Sequence, residues 1–454
     1  MNRWMGKLTA LMLALCAALP LLAQAGDYVN WHKDKSSVDA DVLTWDTVHV
    51  LERIAEATGW QIYIEPGAQR KFSTKFKERA PDKALDLLLG NLGRVLLPGT
   101  NGGPPRLLVF KSKEKDATQL VRPKPVNKAK PLAKELIVTM KKGKSLDDLA
   151  KKLGAKVKNR ADGLDAGRLE FDTEEAANAA RDALRDNEEV ASVDVNFPIT
   201  EQPSAESAGA GSPNLKLQPL KAGEGVIIGL IDSGVQRQGG SMDDFLLNGI
   251  AVAGDASPDP NRPSHGTSMW ETLLKGVDFA TADGNGSRVR VLPVDVYGDK
   301  ATTSTFEVAK GIYEAMKNGA SVINLSLGSD GDTPFLYQVI KDGVAAGRVF
   351  VASAGNSPTT APTYPAAYPE VIAVTAGDGR GGLASYANRG NFVDVIAPGT
   401  TLITFNGKTY RVSGTSPAAA YISGLIAGTA DSSGKSAAAA AATIKSISPA
   451  PAGR

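Results

Sequence analysis

One cysteine and three histidines are all that 454 residues supply of the two side chains most used in redox and metal chemistry. With Cys16 alone, no disulfide can form within the chain. Any histidine chemistry must use His32, His49 or His265. Net charge is also scarce. At +2 the chain offers no general attraction to nucleic acid, and no nucleic-acid partner is expected. No apolar run reaches the ~20 residues that span a bilayer. The longest, Leu8 to Ala23, follows Arg3 and Lys7 and precedes Ala23-Gln24-Ala25, a small-residue cleavage pattern. Residues 1–25 therefore read as a cleaved export signal, so the mature chain is expected to be secreted or periplasmic. Cys16 lies inside this run, after a Leu15 too bulky for a usual lipoprotein site, and leaves with it.

What remains is rich in glycine (47) and proline (26), which suits globular domains with tight turns and linkers. From 45 to 111, Val48, Leu51, Ile54 and Ala55 fall at helical spacing and Gly59 ends the run. Gln61–Glu65 and Phe72–Phe76 read as strands, Pro81–Leu89 as a helix and Arg106–Phe110 as a closing strand. The order, with "LERIAEATGWQIYIEP" and "APDKALDLLLGNLG", resembles the short N-terminal modules of secretins and TonB-dependent receptors. An envelope partner for this module is what that resemblance would imply.

Residues 112–134 read as a basic Pro/Lys linker. Lys111 to Lys158 holds 15 basic and 5 acidic residues, whereas Asp162 to Asp194 holds 11 acidic and 3 basic. Solvated faces are the plain reading, with attachment of the basic run to an anionic surface, or attraction between parts of the chain, as alternatives. Residues 135–199 follow as a β-α-β-α-β domain, with Ser145/Asp148 and Asp172/Glu175 as helix-start patterns. The stretch "LIVTMKKG … LAKKLGAKV … GRLEFDTEEAANAARDALRDNEEVASVDVNFPI" resembles the propeptide, or intramolecular chaperone, of secreted subtilisin-like proteases. Residues 200–218 are small and polar and read as a processing linker.

Residues 219–447 alternate strands and helices, with a tail at 448–454. Val226–Ile231 is continuously apolar, as in a parallel strand buried on both faces. Further runs fall at Val289–Val296, Ser321–Leu325, Val349–Ala352, Val371–Thr375 and Val393–Ile396, with helices over Thr305–Asn318 and Phe335–Ala346. The expected fold class is α/β, a doubly wound parallel sheet preceded by two small α+β domains, the second ferredoxin-like.

Three short motifs carry the chemistry. Asp232 ends the first strand in I-D-S-G-V, His265 follows 33 residues on in S-H-G-T-S, and Ser416 lies 151 further in V-S-G-T-S-P-A-A-A-Y-I-S-G. A serine hydroxyl needs a base to take its proton and a group to fix the base's tautomer. Pro417 places Ser416 in the first turn of a helix, where backbone N–H groups favour developing negative charge. Taken alone, Ser416 would read as a helix cap. The glycine after His265 suggests a tight turn that leaves the imidazole accessible.

Together, "IDSGV", "HGT" and "GTSPAAAYISG" closely resemble the subtilisin-like serine proteases, or subtilases, and imply a subtilisin-like fold. That resemblance makes Ser416 the nucleophile, His265 the general base and acid, and Asp232 its orienting partner. It gives Asn356, in V-A-S-A-G-N-S, the oxyanion-hole amide, and Ser326-Leu327-Gly328 the edge that binds extended substrate. It implies polypeptide substrates, and a propeptide that inhibits the enzyme until cut in the linker. No cofactor is expected. A structural calcium stays open, with no ligand cluster in the sequence to support it, and no metal site is assigned. One departure stands out. Ser268, Met269, Trp270 and Glu271 follow H-G-T where the family has small residues and a glycine, which puts helix packing and cleft shape in question. It is the one ground for the rival reading, a non-catalytic envelope scaffold.

Overall fold

The computed structural model describes residues 28–32, 36–99, 103–121, 129–201, 206–207, 215–219, 225–281 and 286–450. The expected export signal with Cys16, much of the 200–218 linker and the last four residues lie outside them. Among the described residues no helix is long and apolar enough to cross a membrane.

The first module has the order β1 (Tyr28–His32), β2 (Ser37–Asp46), α1 (Thr47–Thr58), β3 (Gln61–Ile64), β4 (Lys71–Arg79), α2 (Pro81–Leu89), β5 (Gly93–Leu97), β6 (Arg106–Phe110) and β7 (Gln119–Val121). It makes two sheets, β1-β2-β4 and β5-β6-β3-β7. Asp46 caps α1 by accepting from Val48 N, and Gly59 ends it in the left-handed region. β6 is not the closing strand expected of it, because β5 and β3 flank it on both sides. β7 falls within the expected linker, where it pairs with β3.

The second domain runs β8 (Glu135–Met140), α3 (Leu146–Leu153), β9 (Lys156–Ala161), β10 (Ala166–Glu170), α4 (Glu174–Ala183) and β11 (Val190–Val195). Its antiparallel sheet has the order β11-β8-β10-β9, a ferredoxin-like β-α-β-β-α-β arrangement. Two expectations are corrected here. β9 is an extra strand, hidden in the sequence by its lysines and arginine. The cap of α4 is Thr173, which accepts from Ala176 N, and not Asp172. The opposite charge runs meet inside this domain, in pairs such as Lys152–Glu189 and Lys158–Glu170.

The chain leaves this domain through β12 (Pro198–Thr200) and β13 (Glu206–Ser207). The large domain then supplies β14 (Ile227–Asp232), β15 (Ile250–Ala251), α5 (His265–Ala280), β16 (Arg290–Asp295), β17 (Thr302–Ser304), α6 (Thr305–Lys317), β18 (Val322–Leu325), α7 (Pro334–Ala345), β19 (Val349–Ser353), β20 (Val371–Gly377), β21 (Val395–Pro398), the hairpin β22 (Thr400–Phe405) and β23 (Lys408–Ser413), α8 (Thr415–Ser433) and α9 (Ala437–Ile447). Seven strands form one all-parallel sheet in the order β15-β16-β14-β18-β19-β20-β21. Residues of α5, α8 and α9 cover one face, and residues of α6 and α7 the other. The doubly wound sheet is as the sequence implies.

Trp270 is absorbed rather than tolerated at the surface. It and Met269 are fully buried in the core between α5, α8 and the sheet. Close approach of α5 and α8 is supplied elsewhere: a Cβ on Gly424 would lie 1.9 Å from the Leu273 carbonyl oxygen. The tight helix contact therefore survives, about one turn further along α5.

Candidate active site

Each of the three motif residues sits at the end of an element, where the sheet opens. Asp232 is the last residue of β14. His265 is the first of α5, whose N-cap Ser264 accepts from Thr267 N at 3.0 Å and donates to Gly234 O at 2.7 Å. Ser416 is the second residue of α8. The turn before it needs Gly414, whose φ is 151° and whose Cβ would lie 3.2 Å from Asn356 Nδ2. Gly266 is required for a different reason than a tight turn. A Cβ there would lie 2.0 Å from Ser233 O, so only glycine lets α5 start against β14. The imidazole it positions is buried, not open as expected, at 4% exposure.

His265 Nδ1 lies 2.8 Å from Asp232 Oδ1. That oxygen also accepts from Ser233 N at 2.8 Å. With Nδ1 held by a carboxylate, the proton belongs on Nδ1 and Nε2 is left as the base. Burial lowers the imidazole's proton affinity, but Asp232, with Glu201 adding to it, raises the balance above the ordinary value.

Ser416 Oγ donates to Ser326 O at 3.2 Å, and Ser326 Oγ donates back to Ser416 O at 3.0 Å. Asn324 Nδ2 donates to Ser326 Oγ, and Ser423 Oγ of α8 donates to Asn324 Oδ1 at 2.9 Å. This buried chain fastens α8 to β18. Neither Asn324 nor Ser423 was singled out by the sequence, since each works through a partner about 90 or more residues away.

Asn356 Oδ1 accepts from Thr415 N at 2.9 Å and from Thr415 Oγ1 at 3.0 Å. Fixing the oxygen this way fixes the direction of the Nδ2 donor beside the start of α8. Asn388 supports the same loop, donating to Ala354 O and accepting from Ser357 N, both at 2.8 Å. Ser326, Leu327 and Gly328 lie next to the site as expected. Beyond them Ser329 pairs with Tyr364.

The opposing edge, β17, was not identified from sequence, and the second domain's own tail occupies it. β12 pairs antiparallel with β17, Ile199 opposite Thr303. Asn196 Oδ1 accepts from Thr305 Oγ1 and Phe306 N at the start of α6. Arg168 pairs with Glu307 at 3.0 Å. Among the described residues no three His, Cys, Asp or Glu side chains gather as a metal-holding group.

Comparison with known proteins gives the family and the fold. A family model described as the subtilase family matches residues 223–447. Another, the fervidolysin N-terminal prodomain, matches residues 118–196, beginning upstream of the expected boundary at 135. Thermitase from Thermoactinomyces vulgaris is 34% identical over 221 residues, 48% of this chain and 79% of thermitase. The thermophilic serine proteinase of Bacillus sp. (strain AK1) is 34% identical over 46% of this chain, which spans about half of that relative (52%). In fold, the chain is similar to fervidolysin from Fervidobacterium pennivorans, with a TM-score of 0.52 at 21% identity over 67% of this chain and 55% of that one. With a doubly wound parallel sheet, a subtilase match over residues 223–447 and 34% identity across 79% of thermitase, the chain belongs to the subtilase family of serine proteases.

Proposed function

We propose that this chain is a serine endopeptidase, exported as a precursor, that hydrolyses polypeptides through an acyl-enzyme on Ser416. The observation that carries this is the 2.8 Å Asp232–His265 contact at the end of β14, with Ser416 fastened to Ser326 just past the end of the neighbouring strand β18. Rotation of the Ser416 hydroxyl from Ser326 O towards His265 Nε2 starts the reaction. His265 takes the proton as Oγ adds to the substrate carbonyl, then gives it to the leaving amine. Asp232 holds the tautomer and stabilises the imidazolium. Asn356 Nδ2 and the Ser416 N–H receive the oxyanion, in the positive field of the α8 N-terminus. Substrate extends between β17 and Ser326-Leu327-Gly328 as an added strand. The second domain inhibits by occupying β17, and the linker at 200–218 is where processing frees the enzyme. The basic start, apolar run and A-x-A pattern of residues 1–25 support export. With Trp270 packed in the core, the sequence ground for a non-catalytic scaffold is gone.

A peptide-library digest read by mass spectrometry tests the reading. The mature domain should cut many peptides, and Ser416→Ala should cut none. Equal digestion by both would end the proposal.

A further inference from the structure

The first module carries a polar helix face that is buried against the rest of the chain. On α1, His49, Glu52 and Arg53 fall three and four residues apart, which puts them on one side of the helix. The apolar residues Val50, Leu51, Ile54 and Ala55 pack into the module's own core. A polar side such as this normally faces water. Here His49 is 4% exposed, Glu52 6% and Arg53 5%. Arg53 Nη2 donates to Asp332 Oδ2 of the large domain at 2.7 Å, and His49 Nε2 lies 3.8 Å from the same oxygen. Asp332 belongs to the loop that runs from Ser326-Leu327-Gly328 to α7. Ser329, where that loop starts, exchanges both backbone bonds with Tyr364, at 2.9 and 2.7 Å. Gly331 admits Phe197 of the second domain's tail, since a Cβ there would lie 2.5 Å from Phe197 Cγ. Neighbouring residues of one loop are thus held by the first module and by the second domain.

Those two units are also joined to each other. Asp41 of β2 pairs with Arg181 of α4 at 3.3 Å and with Arg185 beyond it at 2.6 Å, and Arg185 donates to Val42 O at 2.9 Å. We infer that the first module is the second half of the inhibitor: it docks on the loop beyond the substrate-binding edge and keeps the second domain on β17 after the linker is cut. The inference rests on the protease reading above. The partner its polar face fits is the protease domain of its own chain. A piece held at two places leaves slowly, because losing one contact leaves the other to hold it close and let the first re-form. Such linkage strengthens binding by ~10²–10⁴ without any new contact at either place. The Arg53–Asp332 pair sets the register of docking, since a module that sits wrongly leaves Asp332 buried without its cation.

The test follows precursors in which a site for a sequence-specific protease replaces residues 208–214. They carry the natural sequence elsewhere, Arg53→Met, or Arg53→Met with Asp332→Leu, and each is also made with Ser416→Ala. Once the site is opened, size exclusion after dilution reads release of the N-terminal piece from the Ser416→Ala proteins. A fluorophosphonate probe reads Ser416 in the others. Arg53→Met should release its piece, and become labelled, at least tenfold faster than the natural chain. Adding Asp332→Leu should undo most of that gain, which damage to the module's own fold would not allow. Release unchanged by Arg53→Met, or release that quickens while labelling does not, overturns the inference and leaves the protease reading standing. A double variant as fast as the single one overturns it as well, because the pair would then not be what holds the module. No labelling in any opened precursor overturns the protease reading and the inference with it, even where the pieces separate.

Discussion

At the scale of single residues, the site is built from side chains that fix one another before substrate arrives. Asn356 is the clearest case, because its oxygen is committed to Thr415 and its amide is thereby aimed. Asn356→Ala should lower kcat by ~10²–10³ with little change in KM, since the lost donor acts on charge formed only in the transition state. Steady-state kinetics on a peptide amide checks this, and an unchanged kcat would remove Asn356 from the oxyanion site. The Asp232–His265 contact was legible in the sequence because the large domain has a single histidine, and the motifs fall in order around it. Glu201, Asn324 and Asn388 were not. Their roles come from contacts between distant segments, and no local pattern marks a polar residue that will end up beside another strand. The accessible imidazole was misread for the same reason: Gly266 answers to Ser233 O across the sheet, not to its own turn.

At the scale of elements, α5 carries His265 at its start and an unusual buried acid, Glu271, one turn and a half later. The Glu271 carboxyl accepts from Thr404 N of β22 through both oxygens, at 3.0 and 2.8 Å. Burial pushes it up to about 7, against the opposing hydrogen bond from Thr404 and the charge of Lys275. A carboxyl raised on folding binds its proton more tightly in the folded chain. Its favourable contribution is therefore complete below the ordinary carboxylate range and is lost as pH rises through about 7. Glu271→Gln keeps an acceptor for Thr404 and cannot ionise. Relative to the natural protein, its stability should gain on the order of 2–3 kcal/mol between pH 5 and pH 8. Denaturant melts of inactive Ser416→Ala protein at the two pH values measure it, and a difference independent of pH would contradict the burial account. Elements with plain periodicity, such as α2 and β14, were readable from sequence. β2 was not, because Asp39 and Asp41 interrupt Val38, Ala40 and Val42, and Asp41 is neutralised by Lys75 of β4 together with Arg181 and Arg185 of the next domain.

At the scale of the whole molecule, the three folded units meet around one loop of the large domain. Asp332 pairs with Arg53 of α1 at 2.7 Å, with both side chains buried and His49 alongside. On the same loop, Gly331 leaves room for Phe197 of the second domain's tail. The first module thus braces the loop that follows Ser326-Leu327-Gly328, a docking no sequence pattern announced. In Ser416→Ala precursor, Arg53→Met should weaken this docking by ~3–5 kcal/mol, because Asp332 is left buried and charged. Hydrogen exchange of α1 reports it, and adding Asp332→Leu should recover much of the loss. Unchanged protection of α1 in Arg53→Met would show that the pair does not hold the module. The central claim concerns the nucleophile, and its most direct measurement is the mass of the Ser416 peptide after the freed domain meets a fluorophosphonate. The account predicts one adduct, on Ser416, absent in Ser416→Ala and formed far more slowly in Asp232→Asn; no adduct, or one that persists without Ser416, would contradict it.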